Sequence, residues 1–330
     1  MKTKITKKHI PLYKGVDLTN RKIPFVLFES GIPGPTVWVM AAIHGDEVTG
    51  IEIVLRLMRF LKQDNLKIGK IYCVPILNPL GFEVINRYEP NESNDLNRCF
   101  PGKPDGDFGE RVANRIYEKI VSSKPDLVID LHTDTMESIP YIYLDHVPNP
   151  KDKSLVKKML EYSNVSGINY FVENRNDSEM ATKTISGSLV NIAKIPTFTI
   201  ELGGPLLVKP KFVNTGLNSI KNILKHLKMI PQEGLNWEYQ FKLPLEGLYE
   251  FVWSKYTPNS SGIVEYLVQP GDMVKSGSPI ARIKNLYDQT VEYIKVREDC
   301  VIVSYADQNV CFPGTELFSC AVRNDDVYTV

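Results

Sequence analysis

The chain has 330 residues, 43% hydrophobic and 24% charged, with 39 basic and 39 acidic side chains and a formal net charge of +0. That makeup describes an ordinary globular protein with material for one large domain and a small one. It excludes a basic footprint for nucleic acid, and no run is long or apolar enough to span a membrane.

The start of the chain is rich in lysine (Lys2, Lys4, Lys7, Lys8) and reads as a solvated terminus. No apolar segment follows it, so a secretory signal is not expected. Strands are predicted at Phe25–Glu29 and at the apolar run Val37–Ala42. Directly after that run comes His44-Gly45-Asp46-Glu47, with Asp46 read as a turn residue. Glu47 opens an amphipathic helix to Leu61, with Ile51, Val54, Leu55, Met58 and Leu61 as its core stripe. An imidazole and a carboxylate therefore meet between a strand end and a first helical turn.

A strand over Lys70–Leu77 encloses Cys73 and ends at Asn78-Pro79. The stretch from Asn78 to Asp107 is rich in Asn, Pro, Asp and Gly and holds Arg87 and Asp95-Leu96-Asn97-Arg98. A connection this long without its own structure usually belongs to a site. Next come a helix at Phe108–Val121, a strand at Leu127–Leu131 running into Asp130-Leu131-His132, and a strand at Tyr141–Leu144. Helices at Ser154–Tyr162 and Ser188–Ala193, a strand at Thr197–Glu201 and a helix at Asn214–His226 complete this part. Lys151, Lys153, Lys157 and Lys158 form a solvated face, and His9, His146 and His226 read as solvent-facing.

Alternating strands and helices predict an α/β fold with a mixed, largely parallel sheet flanked by helices. Ligands in such sheets gather beyond the carboxyl ends of the strands. His44, Asn78, His132 and Glu201 each follow or end a predicted strand, which places four polar residues at one edge. After Ile230-Pro231-Gln232-Glu233-Gly234 helices vanish and strands shorten, so a small all-β, barrel-like domain is expected over 233–330, after a first domain over 1–232. Its Gly271-Asp272-Met273-Val274 turn is hammerhead-like, but no Met-Lys-Met marks a biotin or lipoyl attachment.

Nitrogen and oxygen donors together suit a borderline-soft metal such as zinc, and His132 offers a third ligand beside His44 and Glu47. Each residue also has a plainer reading. His44 and His132 could be satisfied strand-end groups, Glu47 could complement a helix dipole, Asp95 could cap a turn, and Arg87 could pair with Glu89 on the surface. Five scattered cysteines without a C-x-x-C pair argue for a reducing compartment, and a cytoplasmic location is expected. No Gly-x-Ser-x-Gly elbow, P-loop or Gly-x-Gly-x-x-Gly run is present, and Ser186-Gly187-Ser188 is not a nucleophile motif.

The ordered set His44-Gly45-Asp46-Glu47, Asn78-Pro79, Arg87, Asp95-Leu96-Asn97-Arg98, Asp130-Leu131-His132 and Glu201-Leu202-Gly203-Gly204 resembles the succinylglutamate desuccinylase/aspartoacylase family of zinc carboxypeptidase-like enzymes. Tyr88-Glu89-Pro90-Asn91-Glu92-Ser93-Asn94, an insertion after the arginine, looks more like the branch containing N-acetyl-diaminobutyrate deacetylase. The resemblance implies that His44, Glu47 and His132 bind one zinc ion. It implies that Glu201 is the general base and that Arg87 faces the developing oxyanion. Asn97 and Arg98 would hold a substrate carboxylate, and Asp95 would orient His44.

The expected activity is zinc-dependent removal of an acyl group from a small N-acyl amino acid. The alternatives are a carboxypeptidase trimming peptide ends, and a metal-bearing binding module without turnover. Arg175 and Lys183 are further candidate substrate contacts, Gly203-Gly204 would let substrate approach Glu201, and a homo-oligomer stays open.

Overall fold

The structure, a computed structural model, describes residues 2–88, 94–174, 181–231, 236–253 and 255–328. The lysine-rich start is a strand, not a solvated tail. β1 (Lys4–Lys14) pairs antiparallel with β2 (Asn20–Glu29). Ile10 is buried and anchors β1, while its lysines stay exposed at the sheet edge, where charge discourages pairing with another chain. The lysines hide the apolar anchor, which is why composition misreads this segment.

The α/β part continues with β3 (Thr36–Ala41), α1 (Val48–Phe60), β4 (Lys70–Val74), α2 (Pro79–Glu83), α3 (Phe108–Ser122), β5 (Leu127–His132) and β6 (Tyr141–Leu144). It ends with α4 (Lys153–Val165), β7 (Asn169–Glu173), α5 (Ile185–Asn191), β8 (Thr197–Glu201) and α6 (Pro210–His226). β4-β3-β5-β8 form the parallel centre of a mixed sheet, with β2 and β6 joining antiparallel on either side. Alternate side chains of each strand serve opposite faces. Val37, Val39 and Ala41 pack with α1, α4 and α6 on one face; Trp38 and Met40 pack with α3 and α5 on the other. Asp107 and Glu110 close a capping box that starts α3.

The remaining strands are β9 (Tyr249–Val252), β10 (Gly262–Tyr266), β11 (Met273–Val274), β12 (Pro279–Lys284), β13 (Thr290–Lys295), β14 (Cys300–Tyr305), β15 (Val310–Cys311) and β16 (Phe318–Arg323). They divide between two sheets. β9 pairs parallel with β7 and carries the main sheet onward through β16, β14 and β11, giving 12 strands in all. β13-β12-β10-β15 form a separate four-stranded antiparallel sheet. Val264, Ile283, Cys300, Ile302 and Cys320 share the core between the two sheets, while Val301 and Val303 of β14 face the other way toward Tyr141 and Phe251. The junction 232/233 read from the sequence lies outside the described residues, as do 89–93 of the insertion and Arg175. No helix among the described residues is long and apolar enough to cross a membrane.

Candidate active site

β3 ends at Ala41, and Ala42 takes a positive φ of 53° that turns the chain out of the sheet into His44. Gly45 then packs against α2: a Cβ there would stand 1.9 Å from the Gly81 carbonyl carbon. Only glycine permits this approach. Asn78, expected at the ligand edge, is instead taken up by this support, capping α2 with its Oδ1 on the Gly81 N–H at 2.9 Å.

Glu47 precedes α1 and makes no capping bond. Its Oε1 lies 2.6 Å from His44 Nδ1, and its Oε2 lies 3.1 Å from His132 Nδ1 and accepts from the Thr133 N–H at 3.2 Å. One ligand atom from each of His44, Glu47 and His132 lies within 4.8 Å of the others, and all three residues are buried. The far side of each ring is held by a carboxylate: His44 Nε2 by Asp95 Oδ1 at 3.1 Å, His132 Nε2 by Asp130 Oδ2 at 2.8 Å. Both imidazoles thus turn Nδ1 inward with Nε2 anchored, the arrangement of histidines at metal sites. The donor set and these anchors fit a divalent metal.

Burial opposes charge on Glu47, yet the two histidines outweigh it and hold its carboxyl far below the usual range. Burial also opposes charge on His44 and His132, but Glu47 with Asp95, and Asp130 with Glu47, raise both imidazoles.

Glu201 ends β8 as the register partner of His132. Its Oε2 is buried without a hydrogen-bond partner. Burial pushes its carboxyl up to about 8, against the pull of His132 and with the repulsion of Glu47. Arg87 reaches the cluster from the long loop, with Nη2 on Asp95 Oδ2 at 2.9 Å and Nη1 at 3.3 Å from His44 Nδ1. Asp95 also caps the turn Leu96–Arg98 through the Asn97 N–H, so it bonds His44 and the turn at once. Asn97 is buried, and its Oδ1 accepts the Ile185 N–H at 2.8 Å, which presents the donor end of the amide to the cavity. Arg98 is exposed at the rim and donates to the Asn97 carbonyl at 2.8 Å.

His44, Glu47, Arg87, Asn97, Arg98, His132 and Glu201 line one cavity of about 420 Å³ on the sheet face that carries α3 and α5, a volume ordinary for a small-molecule site. Beyond the cluster it is bounded by Tyr141, Tyr143, Asp145 and Glu173, and by Phe251 and Trp253 from the C-terminal strands. The sequence points to the segment 134–195 and the C-terminal part as the walls of this pocket, but it singles out none of these six residues. The signal was the polar alternation Tyr141-x-Tyr143-x-Asp145, where a buried strand of an α/β sheet should be apolar on both faces.

Three further expectations are corrected. His146 is 6% exposed and buried, not solvent-facing, because it follows β6 into the sheet edge and stacks on Tyr328. Gly203 and Gly204 make room for Phe212 and Met136, whose atoms a Cβ would meet at 2.2 and 2.5 Å, not for substrate. Lys183 is exposed and does not line the cavity.

The chain matches the sequence profile of the Succinylglutamate desuccinylase/Aspartoacylase catalytic domain over residues 33–227. It is 28% identical over 271 residues to the N-alpha-acetyl-L-2,4-diaminobutyric acid deacetylase of Halomonas elongata, covering 81% of this chain and 75% of that one. A succinylglutamate desuccinylase/aspartoacylase from Rhodobacter sphaeroides shares the fold with a TM-score of 0.81 at 22% identity, over 98% of this chain and 96% of that one. The Ectoine utilization protein EutE from Ruegeria pomeroyi, in its product-bound structure, superposes with a TM-score of 0.77 at 18% identity, over 97% and 95%.

Amide-bond hydrolases acting on N-acyl amino acids are the class to which these names point, and the fold is shared with the Rhodobacter protein. The profile spans the greater part of the chain, and the chain belongs to the succinylglutamate desuccinylase/aspartoacylase family.

Proposed function

We propose that the protein is a zinc-dependent amidohydrolase that removes an acyl group from the nitrogen of a small N-acyl amino acid. The observation that carries this reading is the pair of inward-facing imidazoles sharing Glu47, each anchored from behind, next to a carboxylate oxygen without a partner. His44, Glu47 and His132 would hold one zinc per chain. Zinc bound there supplies Lewis-acid chemistry, polarising an amide carbonyl and bringing the pKa of water from about 15.7 to about 7.

Glu201 acts as the general base. Its Oε2, buried without a hydrogen-bond partner, is free to accept a proton from the attacking water and pass it to the leaving amine. Arg87, held in place by Asp95, presents a fixed positive charge beside His44 for the developing oxyanion. The Arg98 fork and the Asn97 amide suit the α-carboxylate of the amino acid. Phe251 and Trp253 close the cavity from the C-terminal side, which favours small substrates over long peptides. Five free cysteines agree with a reducing compartment such as the cytoplasm.

The test is an initial-rate assay of zinc-loaded protein on N-acetyl and N-succinyl amino acids. The name of the Halomonas relative puts Nα-acetyl-2,4-diaminobutyrate on that panel. Turnover of at least one member, lost on chelation, is expected. No turnover, or equal efficiency on a peptide longer than a dipeptide, overturns the reading.

A further inference from the structure

The cavity floor is laid out by strand register. His132 of β5 pairs with Glu201 of β8, and Glu201 pairs in turn with Tyr141 of β6. Directly paired residues project from the same face of a sheet. The proposed ligand, the proposed base and a phenol therefore stand in one row, and all three line the cavity.

Tyr141 is 2% exposed, and its ring is pinned. It stacks on Phe251, with centroids 5.4 Å apart at 19°, and tilts against Phe171 at 5.6 Å. Its hydroxyl donates to Asp134 Oδ2 at 3.1 Å. Asp134 is held in turn from the C-terminal strands. The wholly buried Ser304 hydroxyl of β14 stabilises its charge. The segment that follows it is stitched to β14 by the Ile139 N–H on the Val303 carbonyl at 3.1 Å and the Tyr305 N–H on the Glu137 carbonyl at 3.0 Å.

The direction of the Tyr141 bond decides what the phenol can do. Its one proton is directed to Asp134, so the oxygen offers a ligand only lone pairs. Burial holds the phenol well above its usual range, and Asp134 and Glu201 add to the rise, so the hydroxyl keeps its proton at neutral pH. An N-acyl amino acid brings one donor to the reacting centre, the N–H of the amide to be cut. An acceptor fixed beside the base suits that donor. With the N–H on the Tyr141 oxygen, the lone pair that forms on nitrogen as the carbonyl carbon becomes tetrahedral is left to face Glu201. Glu201 then delivers to that nitrogen the proton it took from water, the C–N bond breaks, and Tyr141 neither gains nor loses a proton.

We propose that Tyr141 is a further catalytic residue, the acceptor for the N–H of the scissile amide, and that Asp134 is the positioning residue that turns its lone pairs toward the substrate. This rests on the amidohydrolase reading above.

The test takes the N-acetyl amino acid that the zinc-loaded full chain turns over fastest, with two analogues of the same side chain. One is the 2-acetoxy acid, whose ester oxygen carries no hydrogen; the other is the N-methyl amide. Tyr141→Phe keeps the ring and its stacking but removes the oxygen. It should lower kcat/KM on the amide by about 10-fold, the scale of one buried hydrogen bond, and on the ester by less than about 2-fold. Asp134→Asn can turn a donor toward the phenol oxygen and should lower the same amide-to-ester ratio by about 3-fold or more. The wild type should cleave the N-methyl amide about 10-fold or more slowly than its parent, and that penalty should shrink in Tyr141→Phe. Equal losses on amide and ester in Tyr141→Phe mark a merely structural residue and overturn the proposal, as does an unaltered amide rate. Should that variant fail to fold, the wild type decides alone: equal rates on the amide and its N-methyl analogue overturn the proposal. Turnover without an amide-specific loss refutes this proposal and leaves the amidohydrolase reading standing; absence of turnover on every N-acyl amino acid refutes both.

Discussion

His132 and Glu201 stand opposite one another at the carboxyl ends of β5 and β8, register partners in a parallel pair. Backbone spacing between neighbouring strands is about 4.8 Å, so the sheet itself fixes how far the proposed base stands from the proposed ligand. Glu47 and Arg87, by contrast, arrive from a turn and a loop, and side-chain bonds aim them at this frame.

Replacing the base should separate chemistry from binding. Glu201→Gln keeps the shape of the side chain but cannot take a proton. Its kcat should fall by about 10²–10⁴-fold, while zinc content and affinity for the amino-acid product stay within a few-fold of wild type. Full activity in this variant would remove Glu201 from the mechanism.

Zinc uptake should release protons. His44 and His132 each meet a Glu47 oxygen through Nδ1, a contact that needs a proton between the two atoms. A metal at the same nitrogens must displace it. Calorimetric titrations in buffers of different ionisation enthalpy should give heats that differ with buffer, and zinc affinity should weaken as pH falls. Heats independent of buffer would contradict this arrangement.

The carboxylates behind the rings should govern affinity more than fold. Asp95→Asn and Asp130→Asn should each weaken zinc binding by about 10–100-fold. Asp95→Asn should in addition loosen Arg87, which loses a charged partner at 2.9 Å. Competition with a chromogenic chelator reads the first effect, and kcat at saturating zinc reads the second.

The sequence makes the parallel centre of the fold and the His44, Glu47, His132 and Glu201 positions legible for one reason: each lies where an apolar run stops and a polar residue follows. What it hides is set by tertiary partners. The lysines of β1 mask a strand whose only fully buried anchor is Ile10. Asn78 looks like a site residue, but only the approach of α2 to Gly45 reveals its structural task. The joining of β9 to β7 depends on contacts between distant segments, so the C-terminal strands read as a separate unit although several of them extend the main sheet.

Asp145 should cost stability. Its folded carboxyl is raised above the ordinary value of 3.8 by burial and by Glu173. Between 3.8 and the raised value the folded chain holds more protons than the unfolded one, so stability falls as pH rises through that window. Asp145→Asn does not titrate. The zinc-free variant should therefore melt above the zinc-free wild type at neutral pH, with a difference that shrinks toward pH 4. A lower Tm at neutral pH would contradict the placement.

Gly45→Ala should move the site without touching a ligand. The added methyl meets the Gly81 backbone, and overpacking of this kind costs about 1–3 kcal/mol. Denaturant unfolding should show that loss, together with weaker zinc binding as His44 shifts.

The central claim is that three side chains converge on one metal ion. Diffraction data collected above and below the zinc absorption edge, from crystals grown with zinc, address it most directly. The account predicts one anomalous peak per chain, about 2.0–2.2 Å from His44 Nδ1, His132 Nδ1 and a Glu47 oxygen. A peak elsewhere with this cluster empty, or no peak at all, would contradict it.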